Sequence, residues 1–513
     1  MAAPRAQDTG LPPEVRRIAV VVVVGAIMSI LDTTIVNVAL ETLSRELDAP
    51  LSTIQWVATG YLLALSAVIP LTGWAAERVG ARRVWMGAVS AFVVTSALCG
   101  IAWSAESLIV FRVFQGLAGG MIMPVGMITL AQAAGPQRMG RVMSVVGLPM
   151  LLAPVLGPVL GGLLVEHLSW RWIFFVNLPV GLVGLVLAAR LLPHERAVGR
   201  GVPGAVPRLD VVGLALLSPG VAALVFGLSE FGTRGSLTPV VVWLPVLLGV
   251  AAIVAFVLHA LRIDFALVEV RLFASRGFAA AGATVFLVGA GLFGSMLLLP
   301  LYYQVARGEA PFDAGLLVAP QGIGAAIGMN VGGRLTDRIG AGRVVLGGLA
   351  LLTLGTLVFA FVAADTPYWL LTLGLVVRGI GLGATMMPAM AGAYATLQRE
   401  AIPRATPMLN VVQRVGGALG TAILTVVLEN QIESQVGGAA PGAGGAGAVP
   451  PAARERAAEP LAAAFAHTYW WALAIGALAA LPALVLAREE GRARAARDES
   501  SADRPETGAV VAA

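Results

Sequence analysis

Fourteen runs of about 20 mostly apolar residues recur along this chain, each long enough for a helix to cross the ~30 Å hydrocarbon core of a bilayer. Such a run cannot sit in lipid with open backbone groups, so it must be a helix that bonds its own N–H and C=O groups. The runs lie near 18–40, 54–73, 84–103, 107–131, 142–165, 172–192, 209–229, 239–261, 277–303, 314–333, 343–363, 369–392, 408–428 and 467–487. Hydrophobic residues make up 58% and charged residues 12%, against about a quarter charged in soluble domains. A water-soluble core with a charged shell is therefore excluded. The chain reads as an all-α membrane protein with 14 transmembrane helices.

The basic residues test that count. All 34 are arginines. With the N-terminus inside the cell, 25 fall on the inner side, 6 fall outside, and Arg112, Arg378 and Arg414 lie within helices. This obeys the positive-inside rule. One missed or invented helix would invert every later loop, so an even count with both termini cytoplasmic follows. The expected location is the cytoplasmic membrane, with the lipid bilayer as partner. The net charge of +5 is spread over short loops, which gives no stripe for nucleic acid. The single cysteine, Cys99, sits in an apolar run and reads as a buried thiol; an internal disulfide is impossible. Residues 1–17 are polar, and the run after them is too long for a signal-peptide core and lacks a cleavage pattern. It is expected to stay as the first membrane helix.

An internal repeat organises the chain. Gly73, Glu77, Arg78, Gly80 and Arg83, after the second run, each match a residue 260 positions later: Gly333, Asp337, Arg338, Gly340 and Arg343. Arg112 with Met123-Pro124 is echoed by Arg378 with Met387-Pro388. The expected domains are a cytoplasmic segment 1–17, a six-helix half 18–192, an inserted helix pair 209–261, a second six-helix half 277–487 and a cytoplasmic tail 488–513. Residues 429–466, rich in Gly, Ala and Pro, are expected to form a flexible extracellular loop. Parallel repeats of this kind are a transporter architecture.

Several motifs carry a family resemblance. The loop at Gly73, repeated at Gly333, resembles the signature of the major facilitator superfamily. Leu31-Asp32-Thr33-Thr34-Ile35-Val36-Asn37 resembles the first-helix motif of its fourteen-helix drug:proton antiporters, and Arg112-Val-Phe-Gln115-Gly116 their fourth-helix motif. Gly157-Pro158-Val-Leu-Gly161-Gly162 resembles the antiporter motif of helix 5. Trp170-Arg171-Trp172 through Asn177-Leu-Pro179 resembles the segment entering helix 6. The resemblance spans about 15 to 487, and Glu77 stands where the family usually has Asp. It implies the major facilitator fold of two parallel six-helix halves plus an inserted central pair. It also implies proton-coupled export of amphipathic compounds, and helix 5 marks export rather than uptake.

Asp32 is the sharpest residue. A carboxylate inside a membrane helix is a functional hypothesis by default. Desolvation favours its neutral form, so it can gain and lose a proton; the alternative is a structural hydrogen-bonding role. At about 1.5 Å per residue, Asp32 lies about 21 Å and Arg112 about 24 Å above the inner surface, at similar depth. Arg112 is the expected electrostatic partner, unless it snorkels to the outer headgroups. Arg378 has no matching acid deep in the second half. Glu77, Arg78 and Arg83, with Asp337, Arg338 and Arg343, are expected to latch the inside-closed state or to set topology as surface charge. Gly157, Pro158, Gly161 and Gly162 are expected to bend helix 5 and to allow close helix approach, or to serve ordinary packing.

Candidate substrate contacts are Asn37, Trp56, Tyr61, Gln115, Met121, Tyr303, Gln304 and Met386, since Met and aromatic side chains suit an adaptable pocket; plain helix packing is the alternative for each. Beyond Asp32 no carboxylate lies deep in these helices, which disfavours a dicationic substrate. The four histidines and one cysteine show no metal-ligand or nucleophile spacing, and no GxxxxGK[ST] loop exists. No enzyme activity, cofactor, metal or ATP use is expected; the driving force is the proton gradient. The expected partners are protons and a small amphipathic molecule, and the expected state is a monomer. An exporter dedicated to one metabolite, an uptake symporter and a membrane scaffold or sensor remain as rival readings.

Overall fold

A computed structural model of the chain describes residues 11–135, 138–193, 208–395, 397–436 and 451–502, and every regular element among them is helical. The first half comprises α1 (Pro13–Glu46), α2 (Leu51–Val68), α3 (Leu71–Val79), α4 (Ala81–Gly100), α5 (Ala105–Ala134), α6 (Met139–His167), α7 (Trp172–Phe175) and α8 (Asn177–Leu191). The inserted pair is α9 (Val211–Arg234) and α10 (Val240–Ala260). The second half comprises α11 (Arg276–Leu301), α12 (Pro311–Ile339), α13 (Ala341–Ala360), α14 (Tyr368–Ala395), α15 (Ile402–Val436) and α16 (Pro451–Ala502). A π-helical turn, Tyr302–Ala306, extends α11.

Among the described residues twelve helices are long and apolar enough to cross a membrane, and α2 with α3 makes a thirteenth, bent by 57°. Pro70 sits at that break, where its missing N–H interrupts the ladder. The expected fifth crossing is α6, one continuous helix of 29 residues. The side chains of 148–155 and of Pro158 lie outside the described residues, so the bend expected from Pro158 does too. The chain is a multi-pass membrane protein, with twelve or thirteen candidate spans among the described residues against the fourteen runs expected, and α6 stands at the expected run that is not among them.

The repeat is visible in the backbone. Gly80 joins α3 to α4 at φ 95°, and Gly340 joins α12 to α13 at φ 100°. Both lie in a region that L side chains avoid, which is why glycine recurs at these two turns.

Three expected boundaries need correction. The helix at the N-terminus begins at Pro13, inside the segment expected to precede it, with proline at its first position. The loop expected over 429–466 is mostly helix: α15 runs to Val436 and α16 starts at Pro451, leaving 437–450 outside the described residues. The tail expected from 488 is helical to Ala502, and 503–513 lie outside the described residues. The reason is common to the last two. Ala-, Glu- and Arg-rich flanks are strong helix formers, and a membrane helix already in place removes the nucleation cost. Hydropathy registers only the apolar middle.

Within the first half α2 packs on α5 and α1 on α6; in the second, α12 and α13 pack on α14 and α11 on α15. The inserted pair is no detached spacer: α9 contacts both α2 and α15. Trp56 of α2 stacks on Phe226 of α9 with ring centroids 5.8 Å apart.

Candidate functional site

The first half encloses a polar cluster around Asp32. The close crossing of α2 and α5 sets it up. A Cβ at Gly116 would strike the Tyr61 carbonyl, and one at Gly120 the Leu65 carbonyl. These glycines let α5 lie against the α2 backbone and bring Arg112 inward. Arg112 Nη1 donates to Asp32 Oδ2 at 2.6 Å and to Gln115 Oε1 at 2.9 Å, and its Nε donates to the Val57 carbonyl at 3.1 Å. The guanidinium lies 4.0 Å from the centre of the Tyr61 ring, a cation–π contact. Asp32 Oδ1 accepts from Gln115 Nε2 at 3.1 Å and from Asn177 Nδ2 at 2.8 Å. Asn177 also donates to Ser96 Oγ at 3.1 Å, and the Cys99 thiol donates to Gln115 Oε1 at 3.4 Å.

Asp32 and Gln115 are 0% exposed and Arg112 1%, so Arg112 does not reach out to headgroups. The structure brings together five elements: α1, α2, α4, α5 and the start of α8. A carboxylate taking three N–H donors is in the environment its ionised form requires. Oδ1 has both its acceptor sites filled, while Oδ2 holds Arg112 and keeps one free. A proton on that free site would cancel the charge that makes the Arg112 contact strong, and so weaken the tie between α1 and α5.

Both repeat loops make ion pairs between the halves. Asp337, at the end of α12, pairs with Arg141 Nε at 3.0 Å and accepts the Gly140 N–H at 3.1 Å, at the start of α6. Glu77, at the end of α3, pairs with Arg404 Nε at 3.3 Å at the start of α15. Arg404 also reaches Glu269 at 3.6 Å, from the segment after the inserted pair. Asp210, the N-cap of α9, holds that segment by accepting from the Leu267 N–H at 3.3 Å and contacting His259 Nε2 at 2.9 Å. The two latches share the repeat: Arg404 follows Arg141 by 263 positions, and Asp337 follows Glu77 by 260. Each acid thus meets an arginine of the opposite half, while Arg78, Arg83, Arg338 and Arg343 are exposed. Glycines let the halves close here. A Cβ at Gly73 would strike the Pro403 carbonyl, and one at Gly333 would strike Ser144 Oγ. Ser144 Oγ itself donates to the Met329 carbonyl at 2.6 Å.

The glycines of α6 divide into two kinds. A Cβ at Gly157 would collide with Thr34 Oγ1, and one at Gly161 would stand 2.9 Å from Ile35 Cγ1, whereas Gly162 has nothing within 4 Å. The first two seat α6 against α1 within three residues of Asp32. The same helix meets α12 at its other end, so α6 joins the Asp32 helix to a latch. Gly157→Ala is expected to destabilise the protein by about 1–3 kcal/mol through overpacking. Gly162→Ala is expected to stay within about 0.5 kcal/mol of the parent. Thermal unfolding in detergent checks both, and equal losses would refute the division.

The proposed substrate contacts are scattered. Tyr61 and Gln115 belong to the Asp32 cluster, and Tyr303, 1% exposed, packs edge-on to Tyr302. Trp56 stacks on the inserted pair and Asn37 is exposed. Met121 and Gln304 are half-buried, and the Met386 sulfur accepts from Gln413 Nε2 at 3.9 Å. Arg378, 2% exposed, donates to Gln321 Oε1 and Thr356 Oγ1. The sequence reading missed Asn177, Ser96, Arg141, Arg404 and Glu269 as partners. Asn177 had a signal, as an amide opening an otherwise apolar run.

Comparisons with known proteins agree with this architecture. The profile described as Major Facilitator Superfamily matches residues 22–421. The multidrug resistance protein B homolog of Mycobacterium tuberculosis is 45% identical over 407 residues, covering 79% of this chain and 74% of that protein. The putative multidrug resistance protein MdtD of Escherichia coli O157:H7 is 34% identical over 376 residues, covering 72% of this chain and 77% of its own length. Among solved structures, the human organic anion transporter MFSD10 aligns with a TM-score of 0.61 at 17% identity, covering 93% of this chain and 100% of that one. The proton:xylose symporter XylE aligns with a TM-score of 0.57 at 13% identity, covering 91% and 94%. These two likenesses are of fold.

Proposed function

This chain belongs to the major facilitator superfamily, and from that premise we propose that it exports amphipathic drugs or drug-like metabolites in exchange for protons. The observation that carries the proton half of this reading is the enclosed Asp32–Arg112 pair. Asp32 is a carboxylate whose charge holds Arg112 across α1 and α5, so a proton gained there would weaken that tie. The drug half is supported by the relatives named for multidrug resistance, of which the chain covers about three quarters. Resemblance of the α6 motif to that of antiporters supports the outward direction. The chain acts as a transporter rather than an enzyme, needs no cofactor beyond the gradient, and works as a monomer.

The arginine asymmetry supports a cytoplasmic location for both termini and for the latch end. On that reading the Glu77–Arg404 and Asp337–Arg141 pairs hold the halves together in a state closed to the cytoplasm. Rocking of the halves about the membrane midplane would break these pairs and open the inner side. The test is efflux of a panel of lipophilic dyes and drugs from expressing cells, with a proton gradient imposed and then collapsed by an uncoupler. Efflux should fall to the passive rate on collapse. Efflux that persists would remove proton coupling, and a panel that does not move at all would point to a single dedicated substrate.

A further inference from the structure

Three arginines lie within the membrane helices, and the structure accounts for two. Arg112 is paired with Asp32, and Arg378 is bonded to Gln321 and Thr356. Arg414 of α15 makes no hydrogen bond or ion pair among the described residues, and it is half-buried. A guanidinium at such depth is costly and faces a cavity or a partner by default. Its depth follows from the helix. Ten residues beyond Arg404 of the latch, it stands about 15 Å into the membrane at about 1.5 Å per residue.

The face on which it stands is also set. Pro403 and Pro407 pack against Gly73 of the opposite half, and Arg414 follows them on the same stripe, at i, i+4 and i+11. The backbone at Gln413, Gly416 and Gly420 turns the other way, onto Gly289, Phe286 and Ala290 of α11. Arg414 therefore looks across the interface between the halves, just past the point where the latch ends. Nearby polar groups on α15 are committed elsewhere: Asn410 Nδ2 to the Thr406 carbonyl and Gln413 Nε2 to Met386. Asp32 is enclosed and neutralised by Arg112, so it offers a substrate nothing.

We propose that Arg414 is the residue that recognises the substrate's polar end, and that this end is an anion: a carboxylate or an ionised acidic phenol on an apolar body. This rests on the reading of the chain as an exporter and names its substrate class. The guanidinium fork matches a carboxylate with two charge-assisted hydrogen bonds. Desolvation between the halves strengthens the attraction, and the same field disfavours a permanent cation.

The test uses purified full-length protein and three probes that share one body: 1-pyrenebutyrate, 1-pyrenebutyramide and 4-(1-pyrenyl)butyltrimethylammonium. Equilibrium binding is measured in detergent, and gradient-driven flux in proteoliposomes. The parent should bind pyrenebutyrate at least tenfold more tightly than the amide or the cation. Arg414→Gln should bring the carboxylate-to-amide ratio close to one, and Arg414→Lys should keep part of the preference. A parent that binds the cation best, or that does not distinguish the probes, overturns the inference. So does an Arg414→Gln protein that weakens carboxylate and amide alike, since that is the mark of a structural role. Carboxylate binding that depends on Arg414 without gradient-driven flux supports the site and removes the coupling instead.

Discussion

Asp32→Asn is expected to reduce gradient-driven efflux to the rate of protein-free vesicles at unchanged expression, while substrate counterflow without a gradient continues. Asn matches the protonated acid in charge and size, so the variant is held permanently in that form. It keeps one oxygen to accept a donor, but its NH₂ must face either Arg112 or the amides of Gln115 and Asn177, which now sit 2.6–3.1 Å away. Breaking a buried pair by removing one charge costs about 3–5 kcal/mol. The surviving oxygen puts this variant at the low end, and lower thermal stability in detergent should accompany the transport defect. Counterflow separates the two effects, because a misfolded protein loses both. Asp32→Asn protein that still pumps against a gradient would show that the proton travels elsewhere.

The second large effect concerns the latch. Gly73→Ala and Gly333→Ala each place a methyl where the opposite half already stands, against the Pro403 carbonyl and Ser144 Oγ. Neither neighbour can yield cheaply, since one is backbone and the other is tied to Met329. Overpacking of this sort costs about 1–3 kcal/mol. The clash exists only while the halves are closed at this end, so the cost falls on that state alone. Such a difference moves the equilibrium about 5- to 150-fold toward the open form. Arg83 and Arg343, exposed in the first turns of α4 and α13, are positions for paired spin labels, and the native Cys99 is buried. The distance distribution between the labels should shift to longer separations in either variant and further in the double. Gly162→Ala, with nothing within 4 Å of its added methyl, is the control. Unchanged distances would mean that these glycines do not hold the closed state.

Much of this molecule was legible in its sequence, because a bilayer makes the rules local. Lipid offers no partner to a backbone N–H, so each apolar run had to be a helix. The turns at Gly80 and Gly340 were marked by the repeat, and the shared depth of Asp32 and Arg112 followed from counting residues along two helices. The helical extensions at Val436, Pro451 and Ala502 were not legible, since propensity beyond the membrane leaves no hydropathy signal. What only the tertiary structure decided were pairings over long separations. Asn177 completes the Asp32 cluster from 145 residues away, and Arg404 meets Glu77 from 327 residues away. Periodicity says which face of a helix is apolar, but not which helix will lie against it. That choice is made by glycine-lined crossings such as α2 with α5 and α6 with α12, which enclose Asp32 within one half and leave Arg414 looking across to the other.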